Sequence, residues 1–259
     1  MSVVSGSKII FPKVNFSSST TAEEMRTYLK AAADVLCEVT GLVITKTEEH
    51  DYGGVYYIGE TAESNPILCV WNQNYSNYFT RIAIGLVGND YKPPVSLVNS
   101  INSSSLIQFY YSPSSLNSYD YLVNYVKFDD GSILIGFVNS SSSRDSLYLF
   151  CITKCSVSDG ELLTAVGFNS NGCSISYFVG QAVTASYINS LSWPTDISML
   201  CSPVKKIISD FWPFGIYFKR IKYSSGMYDA GKYIDIDGKR YISMYKTTYG
   251  SLLLDVTQN

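Results

Sequence analysis

The sequence predicts a mainly β protein, an antiparallel sandwich or barrel, with one amphipathic α-helix near its N-terminus at about residues 21–40. Three observations lead there. A capped stripe of apolar residues with helical period opens the chain, a long succession of short β-rich runs follows it, and Gly, Asn and Asp turn signals separate those runs. Many short strands at such spacing are the pattern of sandwiches and barrels.

The helix is predicted by its ends as much as by its middle. Thr21-Ala-Glu-Glu24 fits a capping box, in which the Thr hydroxyl and the Glu carboxylate satisfy backbone N–H groups that the first turn leaves free. Met25, Tyr28, Leu29, Ala32, Leu36 and Val39 recur on one face, as a helix packed on a sheet requires. Glu23 and Glu24 suit the positive end of the helix dipole, and Gly41 suits a left-handed C-cap.

After Gly41 the period changes. The runs are LVITKT, GVYYIG, PILCVW, FTRIAIGLV, LIQFYY, YLVNYVKF, SILIGFV, SLYLFCIT, ELLTAVGF, SISYFVG, GIYFKRIKY, KYIDI, KRYISMY and SLLLDV. Between them stand Gly53-Gly54, Asn89-Asp90, Asp129-Asp130-Gly131, Asp159-Gly160, Asn171-Gly172 and Asp237-Gly238. Such pairs favour tight turns because Gly, and to a lesser degree Asn and Asp, tolerate positive φ. Short helices are expected near 186–192 and 203–211, and Ser/Asn-rich loops at 96–105 and 139–145. One mainly β domain is the expected organisation, with a weak seam near 192–203 setting off a small C-terminal β subdomain at 204–259. No internal repeat stands out.

Composition narrows the function classes. Hydrophobic residues make up 46% of the 259 and charged residues only 16%, against about a quarter for ordinary soluble domains. Ser, Asn and Tyr fill the difference, and the 22 tyrosines offer stiff contact area with a polar tip. Tyr also suits strands for their own sake. Net charge is −3 and no segment clusters Lys and Arg as a phosphate-binding surface would, so no direct nucleic-acid partner is expected. No run approaches the roughly 20 apolar residues of a membrane span. The N-terminus, MSVVSGSKIIF, lacks the charged leader and apolar core of a signal peptide, which predicts a product made in the cytoplasm. The six cysteines then read as free core thiols.

No catalytic, cofactor or metal site is predicted. The single histidine, His50, lies in Glu48-Glu49-His50-Asp51, without the spaced ligands of a zinc site, and a charged loop explains it. Cys151 and Cys155 on one strand lie roughly 13 Å apart at about 3.3 Å per residue, too far to share a metal. Asp235-Ile-Asp237-Gly238 departs from the spacing of a calcium loop and fits a hairpin. Ser202-Pro-Val-Lys205 matches S-x-x-K without the companion motifs, and no nucleophile elbow or phosphate loop occurs. A hydrolase working through two carboxylates stays open, since sequence does not show which acids converge. The aromatics give the one candidate surface. Trp71, Tyr75, Tyr110, Tyr111 and Trp212 are the residues that could serve protein or glycan contact, although core packing is the favoured reading of each.

One segment carries a resemblance. Gly226-Met-Tyr-Asp-Ala-Gly-Lys-Tyr-Ile-Asp-Ile-Asp-Gly-Lys-Arg-Tyr-Ile-Ser-Met-Tyr245 resembles hairpins that close small β domains in virion proteins of tailed phages and prophages of Gram-positive bacteria. Ile234, Ile236, Gly238, Tyr241, Ile242 and Ser243 carry the match. The rest of the chain is similar in style only: leaderless, β-dense and rich in Ser, Asn and Tyr. The resemblance implies a tail, neck or baseplate-type subunit, made in a bacterial cytoplasm and finishing in a particle, whose partners are other subunits or copies of itself. It transfers no site residues. A glycan- or protein-binding β module is the alternative expectation.

Overall fold

In a computed structural model, the described residues are 3–17, 19–76, 79–87, 108–111, 117–139, 148–157, 160–169, 172–176, 221–224, 226, 228–229, 231–246 and 251–257. Over these the protein is mostly strand with one helix, and every pairing whose register is resolved is antiparallel. The chain divides into two compact units. One comprises Met1–Lys8, Leu122–Cys173 and Val183–Asn259, the other Ile9–Tyr121 and Ser174–Ala182. The seam expected near 192–203, the helices expected at 186–192 and 203–211, and the loop at 96–105 lie outside the described residues.

The Ile9–Tyr121 unit holds the helix, α1 (Ala22–Thr40), and the strands β2 (Val43–His50), β3 (Gly53–Gly59), β4 (Leu68–Ser76), β5 (Phe79–Leu86) and β6 (Gln108–Tyr111). The predicted caps form. Thr21 Oγ1 accepts the Glu24 N–H at 3.2 Å, and the Glu24 carboxylate accepts the Thr21 N–H at 2.7 Å. That backbone hydrogen bond, with a second from the Thr21 hydroxyl, holds the Glu24 carboxyl below its usual range. Gly41 closes the other end at φ 75°, its N–H donating to the Cys37 carbonyl at 2.7 Å. Met25, Leu29, Ala32, Leu36 and Val39 are buried as the stripe requires, joined by Ala33 and Thr40.

These five strands form a sheet in sequence order, β2-β3-β4-β5-β6, and α1 packs chiefly on β3. Tyr56 on β3 fastens the helix, its hydroxyl donating to the Arg26 carbonyl at 3.1 Å. β3 is buried along its whole length, so both faces of the sheet are covered there. On one face Val55, Tyr57, Cys69, Trp71, Ala83 and Val87 form a continuous apolar cluster. Residues 11–16 run past the helix start, where Phe11 and Phe16 pack on Tyr28 with ring centres 5.7 and 5.0 Å away.

In the other unit β1 (Val3–Phe11, whose first residues belong here), β7 (Tyr121–Phe128), β8 (Ile133–Asn139), β9 (Tyr148–Val157), β10 (Gly160–Asn169) and β11 (Gly172–Ser176) form a six-stranded sheet ordered β1-β7-β8-β9-β10-β11. Four further strands, β12 (Ile221–Ser224), β13 (Tyr233–Ile236), β14 (Lys239–Lys246) and β15 (Ser251–Asp255), form a second sheet, β12-β15-β14-β13. Each predicted run overlaps a strand, SISYFVG and GIYFKRIKY over three residues each, the rest of those two runs lying outside the described residues. β1 was not among them. The Asp237-Gly238 turn holds two residues, both at positive φ (49° and 75°), so that Ile236 pairs with Lys239. Positive φ at both positions is the twist that a two-residue hairpin needs.

Candidate interaction surface

The strands place several of the residues that the sequence singles out. Trp71 is 1% exposed and belongs to the apolar cluster between β3 and β5, which is the core-packing reading of it. The reason is register: Trp71 stands opposite Val55 on one side and Ala83 on the other, in the middle of a sheet covered on both faces. Glu48, Glu49 and His50 form no loop; they are the last residues of β2, and Asp51-Tyr52 make the turn, with Gly53 already paired to His50. Tyr75 is the extra residue of a bulge in β4, between Asn74 and Ser76. Tyr110 pairs with Ala83 and Tyr111 with Ile82 on β6, and adjacent strand positions belong to opposite faces of a sheet. Trp212 lies outside the described residues.

What the described residues present instead is a set of sheet edges of different character. β2 is an outer strand of its sheet, and it is guarded by charge and by a bulge at Thr45, between the pairs Ile44–Ile58 and Lys46–Tyr57. Lys46 pairs with Glu48, and Glu49 reaches Arg26 Nε at 3.7 Å. β13, outermost in the four-stranded sheet, is only four residues long and carries Asp235. β1, outermost in the six-stranded sheet, runs for nine residues with one ionisable side chain, Lys8. Val4 and Ile9 on it are 63% and 48% exposed. Charges, bulges and shortness are the devices that keep edge strands from pairing with other chains. β1 has the fewest of them.

A second feature is the β2–β3 turn, a polar knot that sequence reasoning missed. Asn72 on β4 is fully buried, and its side chain reaches across to the turn. Its Oδ1 accepts the Gly54 N–H at 2.9 Å and its Nδ2 donates to the Tyr52 carbonyl at 2.8 Å. Gly53 is needed there: at φ 150° a Cβ would come within 2.1 Å of Asn72 Oδ1. Beside the turn, the Tyr57 hydroxyl donates to Glu48 at 3.1 Å while Lys46 lies over the Tyr57 ring at 5.7 Å. Burial, then the Glu48 charge, pushes the Tyr57 hydroxyl pKa well up, so it stays a donor. In the sequence Asn72 only ends the apolar run PILCVW and opens the polar Asn72-Gln73-Asn74, so nothing beside it marks it as buried.

Chemically, the described residues bring no three His, Cys, Asp or Glu side chains together in a metal-binding group. Cys69 is buried and Cys37 half-buried, both free. Burial raises both thiols, Cys37 to about 11, which leaves them protonated at neutral pH and poor nucleophiles. Cys151 and Cys155 stand on the single strand β9, opposite Val166 and Leu162 of β10. No helix of the described residues is long and apolar enough to cross a membrane. Compared with protein-family models, with curated proteins and with solved structures, the chain matches none.

Proposed function

We propose that this chain is a non-enzymatic structural subunit of a tailed-phage or phage-tail-like particle, acting through strand edges that pair with copies of itself or with neighbouring subunits. The observation that carries the reading is β1, a nine-residue outer strand with one charged side chain and two exposed aliphatic ones, beside other outer strands that are short or charged. An edge of that kind is a template for a further strand, because its outward N–H and C=O groups pair without any new geometry. The 226–245 hairpin supports the particle assignment by its resemblance to virion hairpins, and its two-residue Asp-Gly turn fits that form. The same proposal takes the six- and four-stranded sheets as the two layers of a sandwich. Contact between β14 and β8 supports it, as does the close approach of Gly231 to Asn124 of β7. Synthesis in a bacterial cytoplasm and a final place in the particle belong to this reading.

Light scattering after size exclusion, over a concentration series, tests it. A discrete oligomer that dissociates when Val4→Lys and Ile9→Lys are combined is the expected result. These side chains are exposed, so the double variant keeps its fold, which circular dichroism checks. An oligomer indifferent to both substitutions removes β1 from the interface. A 28.8 kDa monomer at every concentration, with no binding to other particle subunits, overturns the reading in favour of a glycan- or protein-binding module, for which exposed Tyr52, Tyr119 and Tyr233 are the tyrosines to mutate.

A further inference from the structure

The β2–β3 turn carries the chain's single histidine in a setting that on balance favours its neutral form. His50 ends β2 and pairs with Gly53. Its Nδ1 accepts the Tyr52 N–H at 3.4 Å, which places the proton of the neutral ring on Nε2. Nε2 is itself buried, with no hydrogen-bond partner that meets normal geometry among the described residues. The groups facing the ring come from three directions. Arg26 projects from α1 and is engaged by Glu49 of β2, Asp51 stands in the turn, and the Asn72 backbone approaches from β4. Burial disfavours the imidazolium most; the Asn72 backbone and Asp51 favour it, Arg26 opposes it, and the balance lowers the pKa below 6.5.

We propose that the β2–β3 turn is an acid-sensitive latch: protonation turns His50 Nδ1 from acceptor to donor, releases the Tyr52 N–H and opens the turn. On the other side the Asn72 amide still grips the Tyr52 carbonyl and the Gly54 N–H, so opening starts at the Tyr52 amide and not at Gly54. The sign follows from linkage. A base whose closed-state pKa is lowered favours the closed turn in full above the ordinary histidine value. That advantage declines as pH falls through 6.5 and levels off below the closed-state pKa. Opening loosens the backbone from Tyr52 to Gly53, which is buried in the closed turn, at the end of an edge hairpin. The latch is separate from the β1 edge and stands or falls independently of it.

The test uses the full chain. Because His50 is the only histidine, its two imidazole C–H nuclear magnetic resonance signals titrate together without overlap from another ring. The expected midpoint lies below 6.5, the Tyr52 amide shift follows the same curve, and Tyr52 exchange protection falls several-fold between about pH 7.5 and about pH 5. In His50→Gln, neutral at both values, the protection stays level. A midpoint at or above 6.5, a Tyr52 amide indifferent to the imidazole titration, or the same loss of protection in His50→Gln overturns the latch. Should His50→Gln fail to fold, the wild-type titration of ring and amide decides alone.

Discussion

If Asn72 holds the β2–β3 turn as described, Gly53→Ala and Asn72→Ala must be strongly non-additive. Asn72→Ala removes two hydrogen bonds of 2.9 and 2.8 Å from a side chain with no exposure. At about 1 kcal/mol each, with the Gly54 N–H and Tyr52 carbonyl left poorly paired, the loss is about 2–4 kcal/mol. Gly53→Ala sets a Cβ at 2.1, 2.7 and 2.8 Å from Oδ1, Cγ and Nδ2 of the same amide, at φ 150°. The backbone strain alone is about 1–3 kcal/mol, and the displaced amide forfeits the same two hydrogen bonds. The double variant has no amide left to displace, so only the backbone strain adds to the Asn72→Ala loss. The cycle is therefore expected to close short of additivity by about 2 kcal/mol. Urea unfolding followed by circular dichroism and fluorescence measures all four corners. Additivity within about 0.5 kcal/mol would refute the contact and with it the account of why Gly53 stands there.

Two further outcomes follow from local geometry. Thr21→Ala removes the hydroxyl that accepts the Glu24 N–H and is expected to cost about 1 kcal/mol in urea unfolding, with Thr21→Ser restoring most of it; an unchanged midpoint would mean that the cap adds nothing to packing. Trp71→Ala is expected to cost about 3–5 kcal/mol, as for other buried large side chains; a stable Trp71→Ala protein with lost partner binding would return Trp71 to the surface.

What was legible in the sequence is what neighbouring residues decide. Thr21 and Glu24 are three apart, Gly41 follows its own helix, and Asp237-Gly238 set their turn with no outside help; each was found in place. Strand positions were legible too, because period-two apolar runs between turn residues report backbone state directly. Partners distant in sequence were not. Nothing near Asn72 announces that it clamps a turn some twenty residues back, and Gly53-Gly54, read as the turn, owe their identity to Asn72 and to the Glu48 carbonyl, 2.7 Å from where a Gly54 Cβ would sit. For Trp71 the sequence offered both core packing and an aromatic contact surface, and the choice between them was not local: the cluster burying it comes from β3 and β5.

The strand that escaped notice is the one the proposed function depends on, and the two facts have one cause. A central strand buries side chains on a regular schedule and so prints that schedule in the sequence. Among the described residues β1 has a neighbour on one side only, β7, and its middle, Ser5-Gly6-Ser7, carries no apolar alternation. Ile10 and Phe11 anchor its end in the core while Val4 and Ile9 remain exposed. Residues free of core packing are the ones available to select for a partner, and they break the pattern by which strands are recognised. If Val4→Lys with Ile9→Lys leaves the fold intact and abolishes assembly, the weak pattern of β1 is the mark of an interface. If assembly persists, that pattern reflects only a strand under little constraint, and the interface must be sought at another edge.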